Sequence, residues 1–476
     1  MTVLTAVGVA AVLTVSGCSA HVDAGSAGAE KAERALSGID GVRSVSGSGT
    51  NNLPFAGTAT AFVVTDDDLS NRELQTVTDA VGRWAVQHSG GSVSYSARIE
   101  ADGFGFFVGR HASESKEVLG VVDDLRAGGR WLGGSVSAPD ASGQGRSSIQ
   151  LDVERQSDLV SGWDAVRQVG AASGWEDVSL TAAAWKHPEK SSISRYNPDS
   201  SISNADSRAE DVHGDPSAEV AAYRAVTAEH SVTSATVQPG RIHVHLADAA
   251  DTADAAALIE RAAPDTAALV DGGIVTTDDS GNDGQKADPG EYDEANRLAR
   301  TIDRPGVSAI VLKPAWVTVT ADGTDNALSA AATLVAASPA EPIQTLEVGS
   351  SKAALEDRGD DGLLLSGSPS RFHDSVTVGR QLTGFLPARV SLFDANASVT
   401  ATVGKMEDAP ALVAALKPVM PDGTRLAVDI AGQPVETSAD LTLRDGTLSV
   451  DALRSESQRN DTRTRLGDAV RDAWNG

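Results

Sequence analysis

The sequence predicts an α+β fold made of tandem, degenerate repeats, and three observations carry this prediction. The chain has 476 residues, whereas a single domain usually holds ~100–200. Hydrophobic residues make up 41 % of the chain, with Ala and Val frequent among them, which favours several small cores over one large core. Segments with helical spacing alternate with segments of period two, and the same order of elements returns along the chain.

Residues 30–101 show the repeat most clearly. Leu74 and Val81 lie at i and i+7 of an apolar stripe, which is the spacing of one helix face. The strands Val42–Val45 and Thr58–Thr65 come before this helix and are separated by a loop rich in Gly, Ser and Asn. An earlier helix, with Ala32 and Leu36 on its apolar side, precedes both strands. A further strand follows the helix, so the predicted order of elements is αββαβ.

A fuller version, βαββαβ, is predicted for residues 102–185, and this is the order of the ferredoxin-like split βαβ unit. We therefore expect four or five degenerate ferredoxin-like units in tandem. A C-terminal hairpin and helix are expected over residues 433–476. Divided into five, the α+β repeats cover residues 30–101, 102–185, 217–277, 290–350 and 351–432.

Two intervals have the composition of flexible linkers. Residues 186–216 are rich in Ser, Asn, Asp and Pro, and residues 278–289 are rich in Asp and Gly. Segments with so few apolar residues cannot bury a core of their own. We expect both to connect repeats.

The first residues carry the most specific motif of the chain. The apolar run Val3–Val15 is shorter than the ~20 residues that a helix needs to span a bilayer, and it fits the ~7–15 residues of a signal-peptide core. Small residues then lead to Cys18, the only cysteine of the chain. The stretch Val15-Ser16-Gly17-Cys18 resembles the lipobox of bacterial lipoproteins.

This resemblance implies a signal peptide over residues 1–17, a diacylglycerol on Cys18 and a lipidated tether over residues 18–29. Two or more acyl chains, palmitate among them, anchor a protein stably, here to the extracytoplasmic face of the cell membrane. A signal peptide begins with basic residues, but none precedes Lys31. We therefore expect that the natural start lies upstream or that the N-terminus was trimmed.

The order of elements is also similar to that of large repeat lipoproteins of actinobacteria. In both, a helix ends in a Gly-Val turn before strands follow, as at Gly41-Val42 and Gly306-Val307. Arg outnumbers Lys by 30 to 9, which fits a GC-rich genome. The resemblance implies a location and a shape, and no reaction.

The net charge of −27 argues against nucleic acid as a partner, because phosphates require a basic surface. It also argues against close contact with an anionic leaflet, where Lys and Arg would be attracted. We expect the membrane to be a partner only through the lipid on Cys18.

Three segments are candidate sites. His243 and His245 share one face of a strand and His230 precedes it, but a zinc site needs three or four ligands, so solvent-facing residues are the better interpretation. Asp278–Gly284 lacks two of the ligands that an EF-hand loop requires, which favours a solvated linker. Gly103–Phe107 places phenylalanines on both faces, which favours a buried strand over a ligand platform.

No catalytic residue, metal ligand or cofactor site is predicted, because the chain contains no G-x-S-x-G motif and its sole cysteine belongs to the anchor. The leading hypothesis is a non-enzymatic interaction or scaffold lipoprotein that presents its repeats to an envelope protein or a cell-wall partner. The alternative hypothesis is a solute- or ion-binding lipoprotein that uses a cleft between repeats.

Overall fold

The computed structural model describes residues 24–53, 56–109, 112–129, 131–138, 147–185, 198–205, 213–278, 287–356, 362–434, 437–451 and 461–476. These residues form two mixed sheets and twelve α-helices, which confirms the α+β class. Within them, every helix is too short or too polar to cross a membrane.

The first sheet has eleven strands, ordered as they occur in the chain. They are β1 (Val42–Leu53), β2 (Ala56–Thr65), β3 (Val93–Ala101), β4 (Phe104–Phe107), β5 (Gly133–Ser137), β6 (Ser148–Val153), β7 (Ser179–Ala184), β8 (Ser200–Ser203), β9 (Val232–Gln238), β10 (Arg241–Leu246) and β11 (Ala267–Gly272). The helices that alternate with them are α1 (Ala24–Leu36), α2 (Asn71–His88), α3 (Ala112–Ala127), α4 (Leu159–Ser173), α5 (Ser217–Glu229) and α6 (Thr252–Ala262).

The second sheet has ten strands, again in chain order. They are β12 (Val275–Thr277), β13 (Val307–Lys313), β14 (Trp316–Ala321), β15 (Thr345–Gly349), β16 (Leu363–Gly367), β17 (Ala388–Leu392), β18 (Ala397–Val403), β19 (Arg425–Ile430), β20 (Ala439–Arg444) and β21 (Thr447–Val450). Its helices are α7 (Asp293–Ile302), α8 (Thr324–Ala336), α9 (Lys352–Leu355), α10 (Phe372–Gln381), α11 (Ala409–Leu416) and α12 (Asp461–Asn475).

One unit, a helix followed by an antiparallel hairpin, is repeated along both sheets. β1 pairs antiparallel with β2, β2 pairs parallel with β3 across α2, and β3 pairs antiparallel with β4. In a split βαβ unit, another strand lies between the two parallel strands that a helix connects; here those strands are direct neighbours. The predicted order αββαβ is therefore present along the chain, but the ferredoxin-like arrangement is not confirmed.

The described chain divides into two compact units, one holding residues 24–244 and 257–268, the other residues 245–256 and 269–476. The second unit has one continuous core. Ile310 and Leu312 of β13 pack there with Leu298 and Ile302 of α7, and all four are fully buried. Alternate strand residues such as Val311 lie on the opposite face and are only half-buried, as expected for a sheet covered by helices on one side.

The N-terminal helix begins earlier than the predicted tether allows. Residues 18–29 were expected to be a tether, but α1 starts at Ala24 and buries Gly25 and Gly28. A Cβ atom on Gly25 would lie 2.6 Å from the carbonyl oxygen of Thr50, and one on Gly49 would overlap the carbonyl of Gly25. The small residues that suggest a loose tether by composition therefore let a helix pack against a hairpin, backbone on backbone.

The predicted linker 186–216 contains a strand. Of this interval the structure describes residues 198–205 and 213–216, and Ser200–Ser203 is β8, paired with β7 on one side and β9 on the other. Ile202 is fully buried. Pairing on both sides stabilises a serine-rich segment that could not form a strand alone, so the linker expectation is wrong for these four residues.

The end of the predicted third repeat, residues 217–277, is divided between the two sheets. The eleventh strand of the first sheet is Ala267–Gly272. Val275–Thr277 instead pairs parallel with β13 in the second sheet.

Candidate interaction surface

The predicted lipidation site, Cys18, lies outside the described residues, as does most of the acidic segment 278–284. Of that segment the structure describes only Asp278, which forms an ion pair with Lys313 over 3.0 Å.

Of the three candidate histidines, His245 takes part in a polar cluster around the buried carboxylate of Asp271. Its Nδ1 lies 2.6 Å from Oδ1 of Asp271, which is 4 % exposed. The backbone N–H of Thr277 donates to the other carboxylate oxygen of Asp271. His243 lies on the same face of β10 and is half-buried, while His230 ends α5 and donates its backbone N–H to Val226. The Asp271 cluster thus ties β10, β11 and β12 together.

A second buried carboxylate also has structural partners. Glu219 of α5 is 5 % exposed and accepts hydrogen bonds from the backbone N–H of Gly240 at 3.0 Å and from the hydroxyl of Thr266 at 2.7 Å. These contacts fasten α5 to the β9–β10 turn and to the segment before β11. Burial of a carboxylate with such partners serves the fold.

The aromatic stretch Gly103–Phe107 contains β4, in which Phe104 and Phe106 are 3 % and 1 % exposed. The prediction of a buried strand is therefore confirmed. Phe107 is half-buried, and the guanidinium of Arg98 lies 5.7 Å from its ring centroid, within range of a cation–π interaction.

Two shallow grooves lie between consecutive helices of the first unit. The larger, about 300 Å³, lies between α2 and α3 and is bordered by Asp79, Arg83 and Val86. The smaller, about 200 Å³, lies between α4 and α5. There Gln156 bonds the hydroxyl of Tyr223 at 3.3 Å, and burial raises the pKa of that phenol.

Side chains bond backbone groups at both edges of the second sheet. At the C-terminal end, the side-chain amide of Asn475 accepts from the N–H of Leu448 and donates to its carbonyl oxygen, both at 3.0 Å. The indole of Trp474 donates to the carbonyl oxygen of Gly446 at 3.2 Å. The edge of β21 is thus occupied by the end of α12, and Asp271 occupies the N–H of Thr277 at the edge of β12.

At the other end, β1 is a 12-residue edge strand. We call the side of its backbone that points away from β2 the β1 edge. The N–H of Gly47 points outward, because it donates to Oε1 of Glu33 in α1 at 2.5 Å. In an antiparallel pair every second residue points the same way, so Val45 and Gly49 also present their backbone groups outward.

The β1 edge is accessible to solvent. No residue of β1 with a described side-chain environment is buried: Val45, Gly47 and Gly49 are half-buried, and the even-numbered residues Ser44–Thr50 are exposed. Within the described part of the chain, Glu33 is the one side chain that bonds an outward N–H of Val45, Gly47 or Gly49.

Sequence reasoning missed this surface, because it assigned the residues after Val45 to a loop. The alternation Ser44-Val45-Ser46-Gly47-Ser48-Gly49 has period two, and this is the signal that would have indicated a strand with glycines on one face.

Comparison of the chain with protein-family models, with curated proteins and with solved structures found no match.

Proposed function

We propose that the protein is a non-enzymatic cell-envelope lipoprotein, anchored through Cys18 to the outer face of the cytoplasmic membrane. Its role is to bind an envelope protein or cell-wall partner and to hold it near the membrane. The single observation that carries the interaction role is the β1 edge, where a long strand presents backbone groups that the described chain leaves mostly unpaired. The anchor rests on the lipobox-like stretch Val15–Cys18.

The distance along the chain supports a location close to the membrane. Only residues 19–23 separate Cys18 from the first residue of α1, Ala24. Six such steps reach at most ~20 Å. A lipid on Cys18 therefore holds α1, and the hairpin on which α1 packs, near the headgroups.

The second candidate is a solute- or ion-binding lipoprotein. The groove between α2 and α3 favours it, because this groove lies between two consecutive repeat units. Its volume of about 300 Å³ is at the lower limit of the ~300–1,000 Å³ usual for ligand pockets, so an interaction protein is the better-supported function.

Replacement of the lipidated cysteine tests the anchor. We expect Cys18→Ser, expressed from the gene with its natural start, to lose metabolic labelling with palmitate and to leave the membrane fraction. Ser19→Ala is the matched control and should remain labelled and membrane-bound. A Cys18→Ser protein that stays with the membrane through high-salt and carbonate washes would disprove the proposed anchor.

A further inference from the structure

We infer that the β1 edge binds an extended, basic segment of another envelope protein as an additional strand of the first sheet. This inference rests on the proposed function for the location of the partner, and on the geometry of the edge for its chemistry.

The backbone of β1 provides the first argument. Val45, Gly47 and Gly49 alternate with residues that bond β2, so their outward groups form a row with the spacing of a strand ladder. An unpaired row of this kind is a template for another strand, and strand addition is a common mode of peptide recognition. The length of β1, 12 residues, is sufficient for several ladder bonds.

The side chains of β1 leave this row accessible. Ser44, Ser46, Ser48 and Thr50 are small and exposed. Lysine and proline, with which proteins often block sheet edges, do not occur in Val42–Leu53. Its only charged residue is Arg43, whose guanidinium forms an ion pair with Asp67 at 2.7 Å.

Glu33 sets the charge of the partner. Its carboxylate accepts from Gly47 N–H, the group that an incoming strand must bond with a carbonyl oxygen. Strand addition would therefore displace Glu33 from Gly47 and leave its carboxylate beside the new strand. A Lys or Arg on that strand would pair with the displaced carboxylate and compensate for the lost bond.

Charge on the larger scale agrees with this partner. The chain carries a net charge of −27, which attracts a basic segment and raises its rate of encounter. A second copy of the chain is disfavoured as the occupant, because pairing of two β1 edges about Gly47 would bring two Glu33 carboxylates together.

Binding of designed peptides to the full chain in detergent tests the inference without reference to the anchor. The probe is a ten-residue peptide of alternating Thr and Val with one central Lys; matched peptides carry Glu or Pro at that position. We expect the Lys peptide to protect the backbone amides of residues 42–53 from hydrogen exchange. We also expect it to bind about tenfold more tightly than the Glu peptide, which corresponds to about 1.4 kcal/mol, and the Pro peptide to give no protection.

Variants of the edge separate the backbone contribution from the charge contribution. Glu33→Gln should retain peptide binding and remove the preference for Lys over Glu. Val45→Pro removes an outward N–H and should abolish binding. Ser46→Lys, an exposed substitution that leaves the ladder to β2 in place, should weaken binding even if Val45→Pro disturbs the fold. Gln75→Lys adds the same charge to an exposed position of α2 and should bind as the unchanged protein does.

Photo-crosslinking from position 48 of the anchored protein identifies the occupant in cells. We expect crosslinks to an extended segment that carries Lys or Arg. Crosslinks between two copies of this chain, crosslinks to lipid or glycan alone, or a preference for the Lys peptide that persists in Glu33→Gln would each overturn the inference. Because the peptide experiments do not require Cys18, failure of the anchor and failure of the edge remain distinguishable.

Discussion

The first and last strands of the described chain, β1 and β21, end their sheets in opposite ways. β21 has four residues, and the side chain of Asn475 bonds both backbone groups of Leu448. β1 has 12 residues and is covered on one face by α1, but among the described residues Glu33 is the one side chain that bonds an outward N–H of Val45, Gly47 or Gly49. A helix on the face of a sheet can therefore leave most backbone groups of the edge unbonded. A side-chain amide that bonds both the N–H and the carbonyl oxygen of an edge residue, as a neighbouring strand would, does protect the edge.

The largest effect is expected from loss of the helix that closes the C-terminal edge. Trp474 is 3 % exposed, and Lys417 donates to its carbonyl oxygen at 2.5 Å. Replacement of a buried Trp by Ala costs about 3–5 kcal/mol, so Trp474→Ala should release α12 and make the β21 amides exchange as fast as those of β1. Denaturant unfolding and hydrogen exchange measure both effects.

The control for this variant is Trp316→Ala, since Trp316 is 39 % exposed; it should change stability by less than 1 kcal/mol, in line with surface substitutions. Equal losses in the two variants would show that Trp474 does not hold α12 in the way we describe.

The next largest loss of stability is expected from a change in the close contact between α1 and the β1–β2 hairpin. Gly49→Ala places a methyl group against the backbone of Gly25, and overpacking of this kind costs about 1–3 kcal/mol. We expect α1 to lift from the hairpin and Glu33 to lose Gly47, so that the β1 edge becomes more accessible. Exchange of the Gly47 amide reports this directly.

Gly38→Ala is the matched substitution, because a Cβ atom there meets nothing within 4 Å. If it destabilises the protein as much as Gly49→Ala does, the backbone contact is not the cause.

A smaller loss of stability should follow from removal of the Asn475 amide, which bonds the edge of β21. Asn475→Ala deprives Leu448 of two hydrogen bonds; because this site is only partly buried, we expect a loss of about 1 kcal/mol. The Leu448 amide should also exchange faster with solvent, since its N–H would lose its partner. Hydrogen exchange, with the exposed substitution Arg465→Ala as the control, checks this; an unchanged exchange rate at Leu448 would contradict the role assigned to Asn475.

The smallest effect concerns the cap of α2 and its dependence on pH. Ser70 caps α2 in a capping box with Glu73, and loss of a Ser cap costs about 1 kcal/mol. The bonds from the Ser70 hydroxyl and backbone N–H lower the pKa of Glu73 from 4.5 in the folded state. The contribution of the ionised Glu73 carboxylate to the stability of the folded state is therefore fully present above pH 4.5. It disappears as the pH falls through the lowered pKa that Glu73 has in the folded state.

The stability difference between the unchanged protein and Ser70→Ala should consequently narrow in acid, as measured by urea unfolding at several pH values. Exchange at the β1 edge should stay the same in both, because α2 does not bond it. A difference that grows in acid would contradict the role assigned to Glu73.

Elements with strong internal patterns were predictable from the sequence. The aromatic stretch Gly103–Phe107 and the apolar stripe through Leu74 and Val81 each determine local structure by themselves. They appear in the structure as β4 and α2, and the expected C-terminal hairpin and helix appear as β20, β21 and α12.

Elements whose stability comes from neighbours were not predictable. β8 contains one buried aliphatic residue, Ile202, and depends on two flanking strands. The start of α1 depends on glycines of a hairpin that lies later in the chain. The order αββαβ fits both a split and a sequential arrangement of strands, so the sequence could not decide between them.

The candidate edge was missed for a related reason. Whether a strand lies at an edge depends on the pairing of the whole sheet. The contact between Glu33 and the N–H of Gly47 depends on the packing of α1 beside β1. Composition alone gives neither fact.

The sequential order of strands has a consequence for how the chain acquires its structure. Within each sheet every strand pairs with the strand made just before it, so each pairing joins segments that follow one another in the chain. The entropy that such a pairing costs is limited, because the loop it closes does not extend past the neighbouring element. A polypeptide that leaves a translocation channel one end first could add each hairpin to the finished part as it emerges, and would never wait for a distant segment.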